Sequence, residues 1–454
     1  MVRPPERPAR RRGCAPPAAR TGRARQGTGT RLGAAAGRHR HGSRGPLVDR
    51  KVRPTVTPLD RPLRLLPRVR NYDWGTSDFI PRLCGREPTG RPEAELWFGS
   101  HPDAPADVVL GPGDAGSIPL DRLIAERPVE VLGSDSALPF LTKVLSAGRP
   151  LSIQAHPSRE QAARGFAAQA GRALRNYRDT NHKPELLYAL VPFSALSGFR
   201  PPAEAAALLG ALGLAELDPH VQRLEAEGAA AYRPLLASLT ERTGVDLAAR
   251  VTHAARLATG CADPEGRDAL HWIDRIAACH PEDPLVVAPL ILRLIHLEPG
   301  QALFTGPGVP HSYLEGSGVE VMANSDNVLR LGLTSKRVDP GELLGSLVYE
   351  AAGDANLEPE VEEHPWGRRT AFTPPVADFR LDVLDVAGRG PAPLPADDTV
   401  RIALVLEGDI EIRNAAGAES PRPGQATLLT ASAGAAIAAG AGKVAVTMPN
   451  RSDE

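Results

Sequence analysis

The chain has 454 residues, of which 42% are hydrophobic, so it can bury a large core and should form two or three domains. Its net charge of -1 hides an asymmetry, because residues 1–53 hold fifteen of the 53 lysines and arginines but two of the 54 acids. No apolar run approaches the roughly 20 residues that cross a bilayer, and the N-terminus lacks the apolar core of a secretory signal. These features argue against a membrane or secreted protein and predict a soluble globular one.

The N-terminal segment, residues 1–60, is basic and rich in Pro, Gly, Ala and Arg, with almost no large apolar side chains. A basic arm can bind nucleic acid or direct a chain to an organelle. This one cannot form a packed or amphipathic segment, so we expect a disordered, dispensable extension and no nucleic-acid partner. The four cysteines are scattered without metal-type spacing, which suits the reducing cytoplasm, the predicted location; they are Cys14, Cys84, Cys261 and Cys279.

Strand patterns dominate residues 61–160, and a helical pattern follows. Two stretches whose side chains alternate between two faces predict separate strands. Two further stretches are predicted to pair as a hairpin around residues 146–150. The predicted elements, in order, are a strand at 63–69, a strand at 94–100, a short helix at 119–131, the hairpin strands 139–144 and 151–156, a helix from the N-cap Ser158 to about Arg175, and a strand at 185–190.

The second half of the chain alternates between helical and strand patterns. Residues 203–279 are rich in Ala and Leu with a 3.6-residue period, which predicts a helical insertion. Residues 295–324 and 379–448 read as strands and turns. The sequence Pro299–Leu303 nearly recurs as Pro423–Thr427, which indicates a repeated β unit; at the same offset His311 falls on an alanine.

The stretch Leu-Ser-Ile-Gln-Ala-His-Pro at 151–157 places Ser152, Gln154 and His156 on one face of a strand, since side chains alternate along a strand. Gln154 and His156 can direct an amide oxygen and an imidazole nitrogen to one cation. Such a pair is more often an ordinary hydrogen-bonded surface, so partners elsewhere in the chain must decide.

Two further stretches supply those partners. Glu185 follows a polar segment and begins an apolar strand, and His311 follows the rigid turn Gly-Pro-Gly-Val-Pro. One amide, one carboxylate and two imidazoles suit zinc, although iron, manganese, cobalt and nickel accept the same mixed ligands. Residue types alone therefore leave the metal open.

Several longer motifs occur in order along residues 63–340. They are Glu-Leu-Trp-Phe-Gly-Ser-His-Pro at 95–102, Gln-Ala-His-Pro at 154–157, His-Lys-Pro-Glu at 182–185, Pro-His-Ser-Tyr-Leu at 310–314 and Glu-Val-Met-Ala-Asn-Ser-Asp-Asn-Val-Leu-Arg at 320–330. Together they resemble the type I mannose-6-phosphate isomerases of the cupin superfamily. Leu331 and Ser335 depart from the small residue and the proline usual in that family.

The resemblance implies an isomerase that interconverts D-mannose 6-phosphate and D-fructose 6-phosphate with one zinc ion per chain. The implied zinc ligands are Gln154, His156, Glu185 and His311, and Arg330 matches the active-site arginine of the family. The implied architecture is mainly β: two cupin-type jelly-roll barrels plus an α-helical domain. We expect a catalytic barrel from residues 61–160, 181–200 and 286–345, a helical insertion at 201–285, and a C-terminal cupin-like domain without metal ligands at 346–454.

The proposed chemistry gives the remaining residues roles. Moving a proton between C1 and C2 through an enediolate needs a base, a stabilised oxyanion and a phosphate anchor. Glu320 and Lys183 are the candidate bases, each requiring a pKa moved toward neutrality. Arg330 provides permanent positive charge, and Ser152 and Lys336 are candidate phosphate contacts. We expect a small sugar phosphate as the only partner of a monomeric protein.

Two other functions fit parts of the pattern. Two histidines and a glutamate could hold iron in a cupin oxygenase, with positions open for oxygen. A catalytically silent sugar-phosphate binder is the third hypothesis. The basic pair Arg330 and Lys336 favours a phosphorylated substrate over the oxygenase, and the complete ligand set argues against the silent binder.

Overall fold

The structure, a computed structural model, describes residues 58–111, 116–172, 175–241, 245–258, 263–351, 353 and 355–451. The predicted disordered extension lies, up to residue 57, outside the described residues. Within the described ranges, no helix combines the length and the apolar character needed to cross a membrane. Cys84 and Cys279 are free thiols.

The strands fall into two groups separated by the helical segment. Within the described ranges they are β1 Leu63–Leu66, β2 Arg68–Arg70, β3 Glu95–Phe98, β4 Asp107–Val109, β5 Ser117–Pro119, β6 Phe140–Ala147, β7 Ile153–Ala155, β8 Glu185–Ala189, β9 Phe193–Phe199, β10 Leu292–Leu297, β11 Ala302–Thr305, β12 His311–Ala323, β13 Leu329–Gly332, β14 Glu360–His364, β15 Gly367–Phe372, β16 Arg380–Ala387, β17 Ala392–Pro393, β18 Arg401–Asn414, β19 Gly417–Glu419, β20 Ala426–Leu429 and β21 Ile437–Met448.

The helices are concentrated between β9 and β10, where the sequence predicts an insertion. They are α1 Phe79–Leu83, α2 Leu120–Glu126, α3 Pro128–Leu132, α4 Arg159–Ala168, α5 Pro202–Gly210, α6 Asp218–Glu227, α7 Tyr232–Glu241, α8 Val245–Ala258, α9 Pro264–Cys279 and α10 Pro340–Leu344, with 3-10 turns at Gly228–Ala231, Pro284–Leu290 and Ala431–Ala433. Helices α5–α9 confirm the helical character predicted for residues 203–279.

Two predicted helices differ from those observed. Ser158 caps α4 as expected, since its side chain accepts from the Gln161 N–H and the Gln161 side chain accepts from the Ser158 N–H. However, α4 ends at Ala168 and does not continue to Arg175. The single helix predicted at 119–131 is two short helices, because Pro128 cannot donate the N–H that would continue the first.

One sheet carries the predicted metal ligands. Its strand order is β10-β9-β12-β6-β3-β2, with β7 and β8 also paired to β12, β13 paired to β7, and β11 to β8. The thirteen-residue strand β12 contacts four neighbours: its first residues pair with β7 and β9, and its last residues pair with β6 and β8. This strand therefore gathers the other strands around one interior.

The predicted hairpin of residues 139–144 and 151–156 is wrong. β6 pairs with β3 and β12, whereas β7 pairs with β12 and β13. The two strands follow one another along β12: Ala147 lies opposite Gly316 and Gln154 lies opposite His311, with Gly148 and Pro150 in the connection between them. Pairing partners depend on the alignment of strands distant in sequence, which a turn pattern does not specify.

The second sheet runs in the order β14-β15-β16-β21-β18-β20-β1-β4-β5, with β17 on β21 and β19 on β18. Its strands β1, β4 and β5 come from residues 61–160, which were expected to belong wholly to the catalytic barrel. The strand predicted at 63–69 is divided at Pro67: β1 pairs with β20 and β4, while β2 pairs with β3 in the other sheet. Proline lacks the donor for a continuous ladder, so the chain changes sheets there.

The repeated Pro-Gly-Gln segment forms the same turn in both sheets. Gln301 Oε1 accepts a hydrogen bond from the Glu298 N–H at 2.8 Å, and Gln425 Oε1 accepts one from the Arg422 N–H at 3.0 Å. The first turn leads into β11, which pairs with β8, and the second leads into β20, which pairs with β18. The recurrence in sequence thus corresponds to a recurrence in hydrogen bonding.

Comparing the register of the β8–β11 pair with that of the β18–β20 pair identifies Arg401 as the counterpart of Glu185. Glu185 lies opposite Thr305 in β11, and Arg401 lies opposite Leu429, which is 124 positions after Thr305. Arg401 is fully buried and donates to the carbonyl of Gly434 at 2.6 Å. The second sheet therefore has a guanidinium where the first has a carboxylate.

Aromatic stacking joins the helical segment to the first sheet. Phe199, at the end of β9, stacks on Tyr232 of α7 with ring centroids 4.4 Å apart and on Tyr349 with centroids 5.5 Å apart. The Tyr232 hydroxyl donates to the Arg200 carbonyl at 2.6 Å. Phe199 and Tyr232 are completely buried.

We expect Phe199→Ala to lower the free energy of unfolding by about 3–5 kcal/mol, because it opens a cavity between two stacked rings. Phe199→Leu, which preserves most of the apolar volume, should cost clearly less. Chemical denaturation of the two variants and the parent measures the difference. A loss below about 1 kcal/mol for the alanine variant would show that this contact does not anchor the helices.

Candidate metal centre and active site

Three predicted ligands meet in the interior around β12. Glu185 Oε1 lies 3.2 Å from His156 Nε2, and Glu185 Oε2 lies 3.3 Å from His311 Nε2. The three ligand atoms lie within 4.8 Å of one another, and all three residues are buried. A carboxylate and two imidazoles converging at this spacing form a group that can hold a metal ion.

Backbone carbonyls orient both imidazoles. His156 Nδ1 donates to the Asn327 carbonyl at 2.7 Å, and His311 Nδ1 donates to the Val309 carbonyl at 3.0 Å. In the neutral form of an imidazole, such a bond places the ring proton on Nδ1 and leaves the Nε2 lone pair for a metal ion, and both Nε2 atoms face Glu185. Both histidines are thus prepared as ligands.

The fourth predicted ligand, Gln154, lies beside this group. It is paired in register with His311 across β7 and β12, and its amide nitrogen lies 3.4 Å from His311 Nε2. Amide oxygen and nitrogen exchange places by a half-turn of the terminal bond, so the side chain can present its oxygen at this position. Gln154 is half-buried.

Two atoms of this group lack a hydrogen bond although they are buried. Among the described residues, neither His156 Nε2 nor Glu185 Oε2 has a hydrogen-bonding partner. An unsatisfied buried polar atom costs roughly 1–3 kcal/mol, more when it is charged. A bound cation would satisfy both atoms, so the residues present fit a metal ion.

Burial and neighbouring charge keep His156 and Glu185 in ligand form. Burial, with the nearby Lys183, lowers the pKa of His156 to about 4, so its ring is neutral at physiological pH. Burial by itself would raise the pKa of Glu185, but Lys183 and His156 hold it well below its usual range. Lys183, expected as a candidate base, is ion-paired with Glu185.

A second buried ion pair lies on the neighbouring strands. Lys143 Nζ donates to Glu320 Oε2 at 2.8 Å and lies 3.6 Å from Glu95 Oε1. Burial raises the pKa of Glu320, and Lys143 opposes that shift. Burial disfavours the charged form of Lys143, but the two carboxylates raise its pKa above the usual range. Trp97 completes the group by donating its indole N–H to Glu95 at 2.9 Å.

Arg330 lies one strand further, directly opposite Gln154 in register. Side chains opposite each other in an antiparallel pair share a face, so Arg330, Gln154 and His311 are aligned across three strands. Burial and the nearby Arg178 lower the pKa of Arg330, and among the described residues its guanidinium has no carboxylate partner.

The two candidate phosphate contacts occupy different settings. Lys336 is exposed, and desolvation together with Arg330 lowers its pKa. Ser152 is half-buried two residues before Gln154. In the described ranges neither side chain makes an ion pair or hydrogen bond, which leaves both able to contact a ligand.

Several residues of this region received no role from the sequence. Lys143 was hidden within an apolar run, although a single lysine in the middle of a buried strand is itself a signal. His101 packs edge-on against Trp97 with centroids 4.9 Å apart and lies 3.2 Å from Asp326. No spacing rule connects these positions, because Lys143 meets Glu320 through strand pairing and His101 meets Asp326 through contact between segments outside the strands.

The arrangement combines a metal-ligating group, a buried glutamate with a raised pKa and a cluster of arginine and lysine near one another. Such a combination can bind an anionic substrate and move a proton on it.

Comparisons with known proteins agree with this chemistry. The family model described as "Phosphomannose isomerase type I, catalytic domain" matches residues 63–202. The mannose-6-phosphate isomerase of Shigella flexneri is 33% identical over 401 residues, covering 84% of this chain and 98% of that protein.

Two solved structures share the fold. A point mutant of phosphomannose isomerase from Salmonella typhimurium superposes with a TM-score of 0.78 at 31% identity, covering 86% of this chain and 100% of that one. A mannose 6-phosphate isomerase bound with zinc and yttrium gives a TM-score of 0.77 at the same identity and coverage. Similarity of this extent, over nearly the full length of these relatives, shows that the chain belongs to the type I phosphomannose isomerase family.

Proposed function

We propose that the protein interconverts D-mannose 6-phosphate and D-fructose 6-phosphate and uses one zinc ion per chain. The observation that carries the proposal is the buried His156–Glu185–His311 group with Arg330 aligned beside it. Membership of the isomerase family supplies the substrate, and the zinc-bound relative supports the choice of metal.

The ligand atoms suit zinc. Gln154, His156, Glu185 and His311 would provide two nitrogens and two oxygens, a set that a borderline-soft ion accepts. Bound zinc would supply Lewis-acid chemistry for orienting and polarising sugar oxygens. Iron fits two histidines and one carboxylate as well, so the metal content of the protein separates the isomerase from an oxygenase.

Proton transfer is assigned to Glu320. The reaction moves a proton between C1 and C2, and a buried carboxylate with a raised pKa is a stronger base than an exposed one. Lys143, 2.8 Å away, holds the negative charge of Glu320 in the interior. Lys183 stays the alternative base, although its ion pair with Glu185 ties it to the metal group.

Positive charge would balance the anionic parts of the substrate. Arg330 lies near the metal group and would stabilise the negative charge that develops on the enediolate. Lys336 and Ser152 would contact the phosphate, because both have free hydrogen-bonding capacity among the described residues and Lys336 lies near Arg330.

The two sheets support the proposed division into barrels. We assign the first sheet to a catalytic cupin barrel and the second to a cupin-like barrel without metal ligands, with α5–α9 as a separate helical layer. The matched turns at Gln301 and Gln425 support a duplicated unit. Arg401 at the position of Glu185 explains why the second unit would not bind a cation.

Removing the metal should abolish turnover. We expect purified protein to convert mannose 6-phosphate to fructose 6-phosphate, to lose this activity after chelation and to recover it with zinc. Absence of turnover from folded, zinc-loaded protein would indicate a binding protein, and co-purified iron in place of zinc would favour the oxygenase.

In the same assay, His311→Ala should lose both stoichiometric zinc and activity, whereas His253→Ala, at an exposed position of α8, should lose neither.

Arg330→Ala should retain zinc but lower kcat by about 10²–10³, the usual effect of removing one group that stabilises an oxyanion. Arg223, paired with Glu227 on the surface of α6, provides the control, and Arg223→Ala should leave both kcat and zinc content unchanged. Steady-state kinetics with metal analysis tests both variants. A near-parental kcat for Arg330→Ala would remove this residue from the reaction.

Glu320→Gln should lower kcat by about 10²–10⁴ while zinc stays bound, because the amide cannot accept the proton. Since burial raises the pKa of Glu320, the acidic limb of the kcat/KM profile in the parent should lie above the usual glutamate value of 4.5, with activity rising as pH increases through it. Glu227→Gln is the surface control. If Glu320→Gln keeps most of its turnover, proton transfer belongs to Lys183.

A further inference from the structure

Asn327 joins two parts of the candidate active site. It lies in the segment between β12 and β13, three residues before Arg330, and it is completely buried. Its backbone carbonyl accepts the Nδ1 proton of His156 at 2.7 Å. The orientation of this carbonyl therefore determines where His156 Nε2 points.

The Asn327 side chain fixes that carbonyl by bonding to residues 178–181. Its Nδ2 donates to the carbonyls of Asp179 at 2.9 Å and Asn181 at 2.8 Å, and to Asp179 Oδ1 at 3.0 Å. Its Oδ1 accepts from the Arg178 N–H at 2.7 Å. The amide thus uses both its donor and its acceptor capacity on one segment.

The carboxylate of Asp179 closes the arrangement from the other side. Asp179 Oδ1 accepts from Ser325 Oγ at 2.9 Å, and Oδ2 accepts from the Asp326 N–H at 2.8 Å. Residues 178–181 lead directly to Lys183 and Glu185 at the start of β8. We call these reciprocal bonds the Asn327–Asp179 clasp.

We propose that Asn327 is a positioning residue for the metal centre. Its carbonyl holds His156, and its side chain holds residues 178–181, the segment that leads to Glu185. Through the clasp, the segment that leads to Glu185 is tied to the Asn327 carbonyl that orients His156. This inference rests on the proposed metal site.

The clasp contributes more than packing, because loosening it releases two ligands at once. Groups that orient ligating histidines typically change metal affinity by about 10–100-fold when they are altered. A residue with a merely structural role would instead lower the stability of the metal-free protein and leave the affinity of the folded site unchanged.

The test is Asn327→Asp, which keeps the shape and the acceptor but removes the three donated bonds and brings a second carboxylate against Asp179. The control is Asn414→Asp. Asn414 also donates to two carbonyls, those of Asp60 and Ala433, and accepts from backbone N–H groups of a turn, but it lies in β18 of the second sheet. The measurements are Zn²⁺ affinity by chelator competition, the visible absorption spectrum of the Co²⁺-loaded protein, and the Tm of the metal-free forms.

We expect Asn327→Asp to weaken Zn²⁺ binding by about 10–100-fold and to alter the Co²⁺ spectrum. Asn414→Asp should preserve both, even where it lowers Tm by a similar amount. Parental affinity and spectrum in folded Asn327→Asp would overturn the inference, as would an equal loss of affinity in the control. A parent that binds neither ion would refute the proposed metal centre itself.

Asp179→Asn provides an independent variant if Asn327→Asp fails to fold. It retains the volume of the carboxylate but turns one of its acceptors into a donor that faces the N–H or O–H groups of the clasp. Reduced Zn²⁺ affinity in the folded protein supports the inference. Failure of both variants to fold would overturn it, because the clasp would then be part of the fold and not a device that positions ligands.

Discussion

Ionised groups buried inside the first sheet are the constraint on which the rest of the structure depends. Transferring a carboxylate or an ammonium from water costs several kcal/mol even after relaxation, and a single unpaired group would be severely destabilising. Here Glu185 is matched by Lys183, and Glu320 is matched by Lys143. Each charge is stable only while its partner is held at hydrogen-bonding distance.

Strand β12 satisfies this constraint by contributing to both groups. Its first residue, His311, faces Glu185, and Glu320, nine residues later, faces Lys143. Four neighbouring strands pair with β12, so their side chains arrive with fixed spacing. The loops that follow add the remaining polar bonds, most of them through Asn327 and Asp179. The ligand geometry is thus a consequence of sheet pairing supported by a small hydrogen-bonded clasp.

The second sheet shares one turn with the first but has a different charge at the position that corresponds to Glu185. Its turn at Gln425 reproduces the turn at Gln301, but Arg401 replaces the carboxylate. Arg401 is buried against backbone carbonyls, and its pKa is lowered by burial to about 10. A fixed positive charge would repel a cation from this position. Among the described residues, the groups of side chains that could hold a metal ion include none from the second sheet.

The sequence by itself determined the local features of this protein. Alternating strands, the cap at Ser158, the helical period of residues 203–279 and the order of the motifs all depend on neighbouring residues, so they could be read directly. The same is true of His156, Glu185 and His311, whose residue types limit them to a few chemistries. The motifs also identified the family, because several of them occur together in a fixed order.

Only the tertiary structure decided which strands pair and which side chains meet. A turn pattern predicted a hairpin of β6 and β7, yet both strands pair with β12, and β1 joins a sheet built mostly from residues more than 290 positions away. Lys143 and Glu320 are 177 residues apart, and His156 and Asn327 are 171 apart. Contacts of this kind arise from non-local pairing, whose energy is shared over many strands and leaves no periodic trace in the sequence.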